Sequence, residues 1–526
     1  MAENPASITS ARPVRETVAE TTCGKVRCTE SRGVLAFKGV RYAATTAGVN
    51  RFLPPQPAPK WAGIRDALQW GASAPQVPNA GLSLPFYAWY SAIEPMNEDC
   101  LFLNVFTPAL DTGKRPVMVW LHGGGWRNCA GSGPGWDGTH LAGAQDVVVV
   151  TVNHRLNGFG YLALDGSDER FADSGNAGML DLVMALQWVR DNAAAFGGDP
   201  NNVTIFGQSG GAAKTIGLLA TPAARGLFHK AIIQSTSGGM RIAGQEEAVR
   251  MAAELAAALG LKRLVGEDLQ KLPMGTLLSA IEKSPGPFRP VIDGRTFIAD
   301  PYYPAAPGIS SEVPVMIGTT NTETTWYYAA HPENFSLELA DVKRRVMRFL
   351  KLDPVAADAL IDAYRSDYPA GSPCDILTAI TTDYLFKRNA LKIADLQSAS
   401  ARAPVYCYVF ARETPVGNGR FRSPHSAEVP FIFGTTSQAE AFSGNGDDIQ
   451  PVTAVMMASW ASFARHGNPN NPAIPEWKAF GASDRQAMLL NVESRLVAYP
   501  GAASRAALEG LPYYEYSNDR SSFVKD

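Results

Sequence analysis

Several things are missing from this 526-residue sequence, and each absence removes a class of protein. No apolar run reaches the roughly eighteen residues a membrane-spanning helix needs, so a membrane is not an expected partner. No Lys/Arg-rich run stands out and the formal net charge is −3, which makes nucleic acid and anionic surfaces poor partners. Charged residues are only 18% of the chain, too few for long disordered or coiled-coil stretches. Neither an internal repeat nor a low-complexity tract occurs. The six cysteines (Cys23, Cys28, Cys100, Cys129, Cys374 and Cys407) form no C-x-x-C pair and none lies at zinc-finger spacing from a histidine. Ordinary reduced thiols are expected, not a disulfide framework, and neither a metal nor an organic cofactor is implied. Met1 to Pro13 is polar and lacks the apolar core of a signal peptide.

What is present is apolar and strongly patterned. Hydrophobic residues make up 46% of the chain, enough for a large core. Residues 1–20 read as an N-terminal tail. A loop-rich entry segment from Thr21 to Gln76 is punctuated by Pro54, Pro55, Pro57 and Pro59. Pro116–Leu121 and Asp146–Val152 are apolar and β-branched without polar alternation, as in strands buried on both faces of a parallel sheet. Ala177–Phe196 carries apolar residues at a spacing near 3.6 and stops at Gly197-Gly198, so it reads as a helix. Val203–Phe206, Lys230–Ser235, Val313–Ile317 and Val405–Phe410 read as further strands. Such alternation predicts a large doubly wound, mostly parallel α/β sheet flanked by helices. Residues 21–526 read as one domain, with the helix-rich stretch of about 241–375 as a cap-like insertion.

Gly207-Gln208-Ser209-Gly210-Gly211 is a G-x-S-x-G element that follows the strand Val203–Phe206 and leads into a helix start at Ala212-Ala213-Lys214. A serine on so sharp a turn is held in a strained conformation with its hydroxyl exposed, as a nucleophile requires. His122-Gly123-Gly124-Gly125-Trp126 follows the strand Pro116–Leu121. Consecutive glycines let backbone N–H groups approach an oxyanion closely, and losing one such donor raises a barrier by ~3–4 kcal/mol. The amide of Gly210 supplies a further donor. A phosphate-binding loop is disfavoured, because no Gly-Lys-Ser/Thr ending follows.

Serine needs a base, and there are seven histidines. The order expected on this kind of scaffold is serine, acid, histidine. His425, beyond the strand Val405–Phe410 and a Gly/Pro-rich loop, fits best. The acid belongs between Ser209 and His425 just past a strand; Glu323 satisfies this, but periodicity alone does not separate it from Glu312 or Asp300.

At these motifs the chain resembles the type-B carboxylesterases, a family that includes cholinesterases and bacterial p-nitrobenzyl esterases. Phe37-Lys38-Gly39-Val40-Arg41-Tyr42-Ala43, the stretch Asn97 to Val105 (NEDCLFLNV) and the stretch Ala195 to Gly207 (AFGGDPNNVTIFG) are similar to three of its signatures. The resemblance implies an α/β-hydrolase fold and a triad of Ser209, Glu323 and His425. Glu323 matches through Gly318-Thr319-Thr320-Asn321-Thr322-Glu323, and His425 through His425-Ser426-Ala427-Glu428-Val429-Pro430-Phe431. It further implies an oxyanion hole of Gly124, Gly125 and Gly210, and a structural pairing of Arg51 with Glu98. Gly210 replaces the usual alanine, from which a looser loop is expected, and Gln208 replaces a usual glutamate. Cys100 occupies a family disulfide position, but its usual partner is Ala74 in Ser73-Ala74-Pro75-Gln76. The bridge is therefore expected to be absent, which favours a cytoplasmic bacterial enzyme over a periplasmic or secreted one whose leader was removed.

The expected activity is hydrolysis of a carboxylic ester through an acyl-enzyme on Ser209, without metal or cofactor. Trp126, Gln208, Trp326 and Phe431 are expected around the substrate. Aromatics at Trp326–Tyr328 and Phe86–Tyr90 extend the wall, which favours a bulky, largely uncharged small-molecule ester. A monomer or homodimer is expected. The same triad serves an amide, carbamate or lactone hydrolase, or a thioesterase, although no basic patch for coenzyme A stands out. A non-catalytic adhesion-type homologue would lack the serine or the histidine, and here both are present.

Overall fold

The computed structural model describes residues 13–77, 83–91, 95–164, 168–284, 286–400, 402–481, 483–499, 501–513 and 521–525. Among them thirteen strands join in one sheet. They are β1 (Pro13–Thr21), β2 (Gly24–Ser31), β3 (Val34–Arg41), β4 (Ile64–Asp66), β5 (Phe102–Thr107), β6 (Arg115–Leu121), β7 (Val148–Val152), β8 (Gly198–Gln208), β9 (Lys230–Gln234), β10 (Val315–Thr320), β11 (Val405–Phe410), β12 (Gln486–Leu490) and β13 (Arg495–Ala498). Their order is β1-β2-β3-β5-β7-β6-β8-β9-β10-β11-β12-β13, with β4 paired to β2. From β7 to β12 every neighbour is parallel; β1, β2, β3 and β5 form an antiparallel wing, and β13 an antiparallel edge. This is the doubly wound, mostly parallel sheet that the alternating pattern predicts.

The central strands show why their sequences lack polar alternation. In β6, Val117, Val119 and Leu121 enter the apolar layer on one face, while Met118 and Trp120 enter the other. β11 does the same with Val405, Cys407 and Val409 against Tyr406, Tyr408 and Phe410. Both faces are covered, so both registers must be apolar. Helix Ala177–Asn192 supplies one cover and continues as a 3₁₀ turn, Ala193–Phe196, to Gly197 at φ 73°. Helix Ile449–His466 covers the opposite face and ends at Gly467 in the left-handed region.

Two expectations change. Residues 13–20 are not tail but part of β1, while residues 1–12 lie outside the described residues. The entry segment, read as loop from Thr21 to Gln76, contains β2, β3 and β4. In β2 only Val26, Cys28 and Thr29 are buried, and the charged residues between and beyond them hide the strand from a search for apolar runs. Its connection to β3 is a tight turn through Arg32 and Gly33 at φ 54° and 74°, the positive pair that suits a two-residue hairpin. The helix-rich stretch 241–375 is divided by β10. Helices Gln245–Ala258 and Met274–Lys283 precede that strand and join the sheet's own core. Helices Leu339–Leu350, Pro354–Asp367 and Pro373–Thr382 follow it and build a separate apolar cluster around Phe349, Tyr364, Leu377 and Phe523.

Two buried ion pairs tie the entry segment to the sheet. Arg51 donates to both carboxylate oxygens of Glu98 at 2.7 and 2.5 Å, the pairing the resemblance implied. Arg155, just past β7, donates to Asp181 on helix Ala177–Asn192 from Nη2, Nε and its own backbone N–H at 2.6, 2.8 and 3.0 Å, and from Nη1 to the Leu53 carbonyl at 2.7 Å. Removing one member leaves a buried charge without its partner, which costs about 3–5 kcal/mol. Asp181→Ala is therefore expected to lose stability on that scale in denaturant unfolding; a loss below about 1 kcal/mol would mean the pair is solvated after all.

Candidate active site

The carboxyl ends of the parallel strands converge, and there the candidate residues meet. β8 ends at Gln208, and Ser209 turns the chain into helix Gly210–Ala220 with φ 58° and ψ −117°, a backbone conformation that side chains rarely adopt. The turn is held from both sides: the Ser209 N–H donates to the Gln234 carbonyl on β9 at 2.9 Å, and the Ser209 carbonyl accepts from the Ala213 N–H at 3.1 Å. No side chain fits inside it. A Cβ on Gly211 would lie 1.9 Å from the Leu121 carbonyl oxygen at the end of β6.

β6 runs into His122 and the glycine loop, where Gly124 and Gly125 take φ 78° and 63°. The loop lies directly on Gly210. A Cβ at 210 would come within 2.4 Å of both the backbone nitrogen and the backbone oxygen of Gly125. Glycine at this position thus goes with closer packing, where a looser loop was expected.

Glu323 follows β10 and is fully buried. One of its carboxylate oxygens accepts the Thr320 N–H at 2.8 Å, and the other pairs with His425 Nδ1 at 2.5 Å. The two loops are zipped along their backbones: the Thr322 N–H donates to the Ser423 carbonyl and the His425 N–H to the Glu323 carbonyl, both at 3.1 Å. The rival acids are elsewhere, Glu312 beside Arg402 at 3.2 Å and Asp300 accepting the Ile242 N–H at 2.9 Å. Phe386, carried on a π-turn at Asp383–Lys387, packs on the His425 ring with centroids 4.9 Å apart. A π-turn often marks a functional site, but nothing in the sequence singled this one out.

Ser209 and His425 line one cavity of about 530 Å³. Among the described residues the Ser209 hydroxyl makes no hydrogen bond, and the Gln208 amide nitrogen lies against the His425 ring, 3.0 Å from Nε2 and 3.4 Å from Nδ1. Gln208 thus stands behind the histidine and does not line the cavity. Phe431 is turned into the core against Phe410 and the Arg412 guanidinium, so its expected place at the substrate is corrected. Trp126 and Trp326 do line the cavity, joined by Tyr90, Tyr327, Leu278, Ile281 and Phe288. Phe86, Tyr87 and Trp89 form the layer behind them. Leu278 and Ile281 come from helix Met274–Lys283; their i, i+3 spacing is visible in the sequence, but their proximity to Ser209 is not.

All six cysteine thiols are free. Where a bridge from Cys100 would have closed the aromatic segment, Gln76 makes an amide clamp instead. Its Nε2 donates to the Cys129 carbonyl at 3.1 Å and its Oε1 accepts the Cys129 N–H at 2.8 Å. Among the described residues no group of three or more His, Cys, Asp and Glu side chains is placed to hold a metal ion, and no helix is long and apolar enough to cross a membrane.

Two buried groups flank this centre. Burial, reinforced by the neighbouring Glu323 charge, pushes the Glu428 carboxyl up to about 8. It accepts from Gln234 Nε2 at 3.2 Å through one oxygen, and among the described residues the other has no partner. Lys214, fully buried on helix Gly210–Ala220, is pushed down to about 7 by the loss of hydration. In the sequence it reads only as a helix-start residue.

A half-buried strand-to-helix serine, a glycine loop laid against it and a buried carboxylate–histidine pair sharing one cavity define a serine hydrolase on an α/β sheet. The sequence profile described as the carboxylesterase family matches residues 15–506. The para-nitrobenzyl esterase of Bacillus subtilis is 34% identical over 502 residues, 93% of this chain and 98% of that protein. The phenmedipham hydrolase of Pseudarthrobacter oxydans is also 34% identical, over 91% of this chain and 96% of its own length. A solved Geobacillus stearothermophilus carboxylesterase superposes with a TM-score of 0.81 at 36% identity, covering 93% of this chain and 99% of that one. The chain belongs to the carboxylesterase family and is a carboxylic-ester hydrolase of α/β-hydrolase fold.

Two measurements follow from this geometry. Gly210→Ala must push Gly125 away, and is expected to lower kcat about ten- to a hundredfold with KM little changed; an unchanged kcat would show the loop yields freely. Glu428 keeps its proton to about pH 8 in the folded chain, whereas an unfolded glutamate loses it near ~4.3. The folded state binds more protons in that window, so stability falls as pH rises through it. Glu428→Gln is expected to flatten that fall in thermal melts, and equal slopes would refute the assignment.

Proposed function

We propose that Ser209 is the nucleophile, His425 the general base and Glu323 the residue that orients it, with the N–H groups of Gly124, Gly125 and Gly210 as the oxyanion hole. The observation that carries this reading is the 2.5 Å contact between the buried Glu323 carboxylate and His425 Nδ1, which leaves Nε2 as the acceptor. The carboxylate keeps the proton on Nδ1 and stabilises the imidazolium once it forms, without taking the proton itself. For attack, the Ser209 hydroxyl must come into line with Nε2, beside which the Gln208 amide lies. Loose contacts of this kind in a free enzyme commonly tighten when substrate binds.

Attack of Ser209 Oγ on the ester carbonyl sends its proton to His425 and the carbonyl electron pair to oxygen, among the glycine amides. Collapse of this adduct expels the alcohol, which takes the proton from His425. Water, deprotonated by the same histidine, then releases the acid from the acyl-enzyme.

The substrate is read as a bulky, largely uncharged ester. A cavity of about 530 Å³ walled by Tyr90, Trp126, Ile281, Phe288, Trp326 and Tyr327 supports that choice. Its two charged side chains, Arg127 and Glu282, have opposite signs and favour no single substrate charge. A carbamate substrate is the second reading, favoured by the likeness to the phenmedipham hydrolase; leaving-group kinetics separate the two. The free thiols support a reducing compartment, the cytoplasm.

Ser209→Ala and His425→Ala are each expected to lower kcat toward p-nitrophenyl esters by ~10⁴-fold or more. An organophosphate is expected to label the wild-type chain at Ser209 and leave Ser209→Ala unlabelled. Near-normal turnover by Ser209→Ala would remove the mechanism, and a preference for short anionic esters would remove the substrate assignment.

A further inference from the structure

Lys214 is a cation in the interior with no carboxylate to pair with. Its side chain is fully buried in the second turn of helix Gly210–Ala220, and among the described residues it forms no salt bridge. Its ammonium donates to two backbone carbonyls of the glycine loop, that of His122 at 2.9 Å and that of Gly123 at 3.5 Å. Trp126 lies beside it, with its ring centroid 5.8 Å from Nζ. The other titratable groups facing it are His122, His154 and Cys129. Burial and the Lys214 charge push both histidines well below their ordinary range, and burial pushes Cys129 up to about 12, so all three are neutral near pH 7.

Leaving such a charge in the interior costs stability, and a methionine or leucine would fill the same space without that cost. The carbonyls it holds supply the compensation. The Gly123 carbonyl and the Gly124 N–H belong to one peptide group, as do the His122 carbonyl and the Gly123 N–H. A donor on the carbonyl draws electron density toward oxygen and makes the N–H across the same bond a stronger donor. The Gly123 carbonyl is also 3.1 Å from His122 Nδ1, so two donors reach it from beneath. The Gly124 N–H across that peptide is one of the donors assigned above to the oxyanion hole.

We infer that Lys214 is a positioning residue for the oxyanion hole: its ammonium, touching neither substrate nor Ser209, fixes and polarises the peptide groups of His122, Gly123 and Gly124 from behind the loop. The inference rests on the oxyanion-hole reading given above and adds a remote charge to it. Because burial lowers the lysine to about 7, its contribution is complete below that pH and fades as pH rises. Negative charge in the hole favours the protonated form, so the lysine is most fully charged in the adduct that needs it.

The test compares wild type, Lys214→Met and Lys214→Gln with p-nitrophenyl butyrate, and with an aryl trifluoromethyl ketone that forms a tetrahedral adduct on serine. Lys214→Met is expected to fold with an unchanged or raised Tm, to lose about a hundredfold in kcat with KM within about threefold, and to bind the ketone weaker by a similar factor. Lys214→Gln, which keeps a donor but not the charge, is expected to fall between the two. The ratio of wild-type to Lys214→Met kcat is expected to be largest near pH 6 and to shrink above pH 7, which a purely structural role would not produce. A folded Lys214→Met with kcat within about threefold of wild type, or a ratio flat in pH, overturns the inference. Should Lys214→Met fail to fold, ketone affinity and kcat in Lys214→Gln decide, and parity with wild type overturns it. Loss of activity in Ser209→Ala keeps this outcome separate from the parent reading: if wild type is inert or Ser209→Ala is active, that reading fails first.

Discussion

Everything at the reactive end of the sheet depends on main chain lying against main chain. The end of β6, the turn at Ser209 and the glycine loop approach so closely that a single methyl at 210 or 211 would collide with backbone atoms, which would have to shift to admit it. The glycines are therefore the condition under which strand, turn and loop share one small volume. Once they do, the glycine loop lies against the turn at Ser209, and the strain of the Ser209 backbone is held in place by hydrogen bonds to β9 and to the first turn of the following helix.

Buried charge is treated in two ways in this molecule. Arg51 and Arg155 are matched by carboxylates and backbone carbonyls: Arg51 joins Glu98 to the Leu272 carbonyl, and Arg155 joins the end of β7 to helix Ala177–Asn192 and to the Leu53 carbonyl. Around the cavity the balance is left incomplete. Among the described residues Lys214 donates to carbonyls alone, and Glu428 has one amide and an oxygen without a partner. Both are driven toward neutrality near pH 7, one from each side, while Glu323 keeps two donors. Perturbed groups of this kind cluster where a protein does chemistry, because the environment that shifts them also strengthens electrostatic work on a substrate.

The central sheet was legible because both-face burial writes itself into a strand as an unbroken apolar run; β6, β7 and β11 fall within a residue or two of where their sequences put them. The antiparallel wing was not, because one side of β2 is wet and its charges conceal the pattern. Ser209 and the glycine loop stood out through local chemistry that few other structures need. Glu323 did not, since the features that distinguish it from Glu312 are the end of β10 and the loop carrying His425, 102 residues downstream in the second case. Phe431 misled because a motif fixes neighbours in sequence and not the direction of a ring. Lys214 was passed over because a lysine at a helix start is ordinarily wet; only the fold places it under the loop.

The Gln76 clamp has a consequence for how the aromatic wall of the cavity responds to reductants. A bridge between positions 74 and 100 would have closed the segment carrying Tyr90 into a covalent loop. Here that segment is held by two neutral hydrogen bonds at Gln76, each worth about 1 kcal/mol net, and by the burial of Phe86, Tyr87, Trp89 and Tyr90. The wall therefore keeps its place without a sulfur–sulfur bond, and a reducing agent leaves the bulk of ester it admits unchanged.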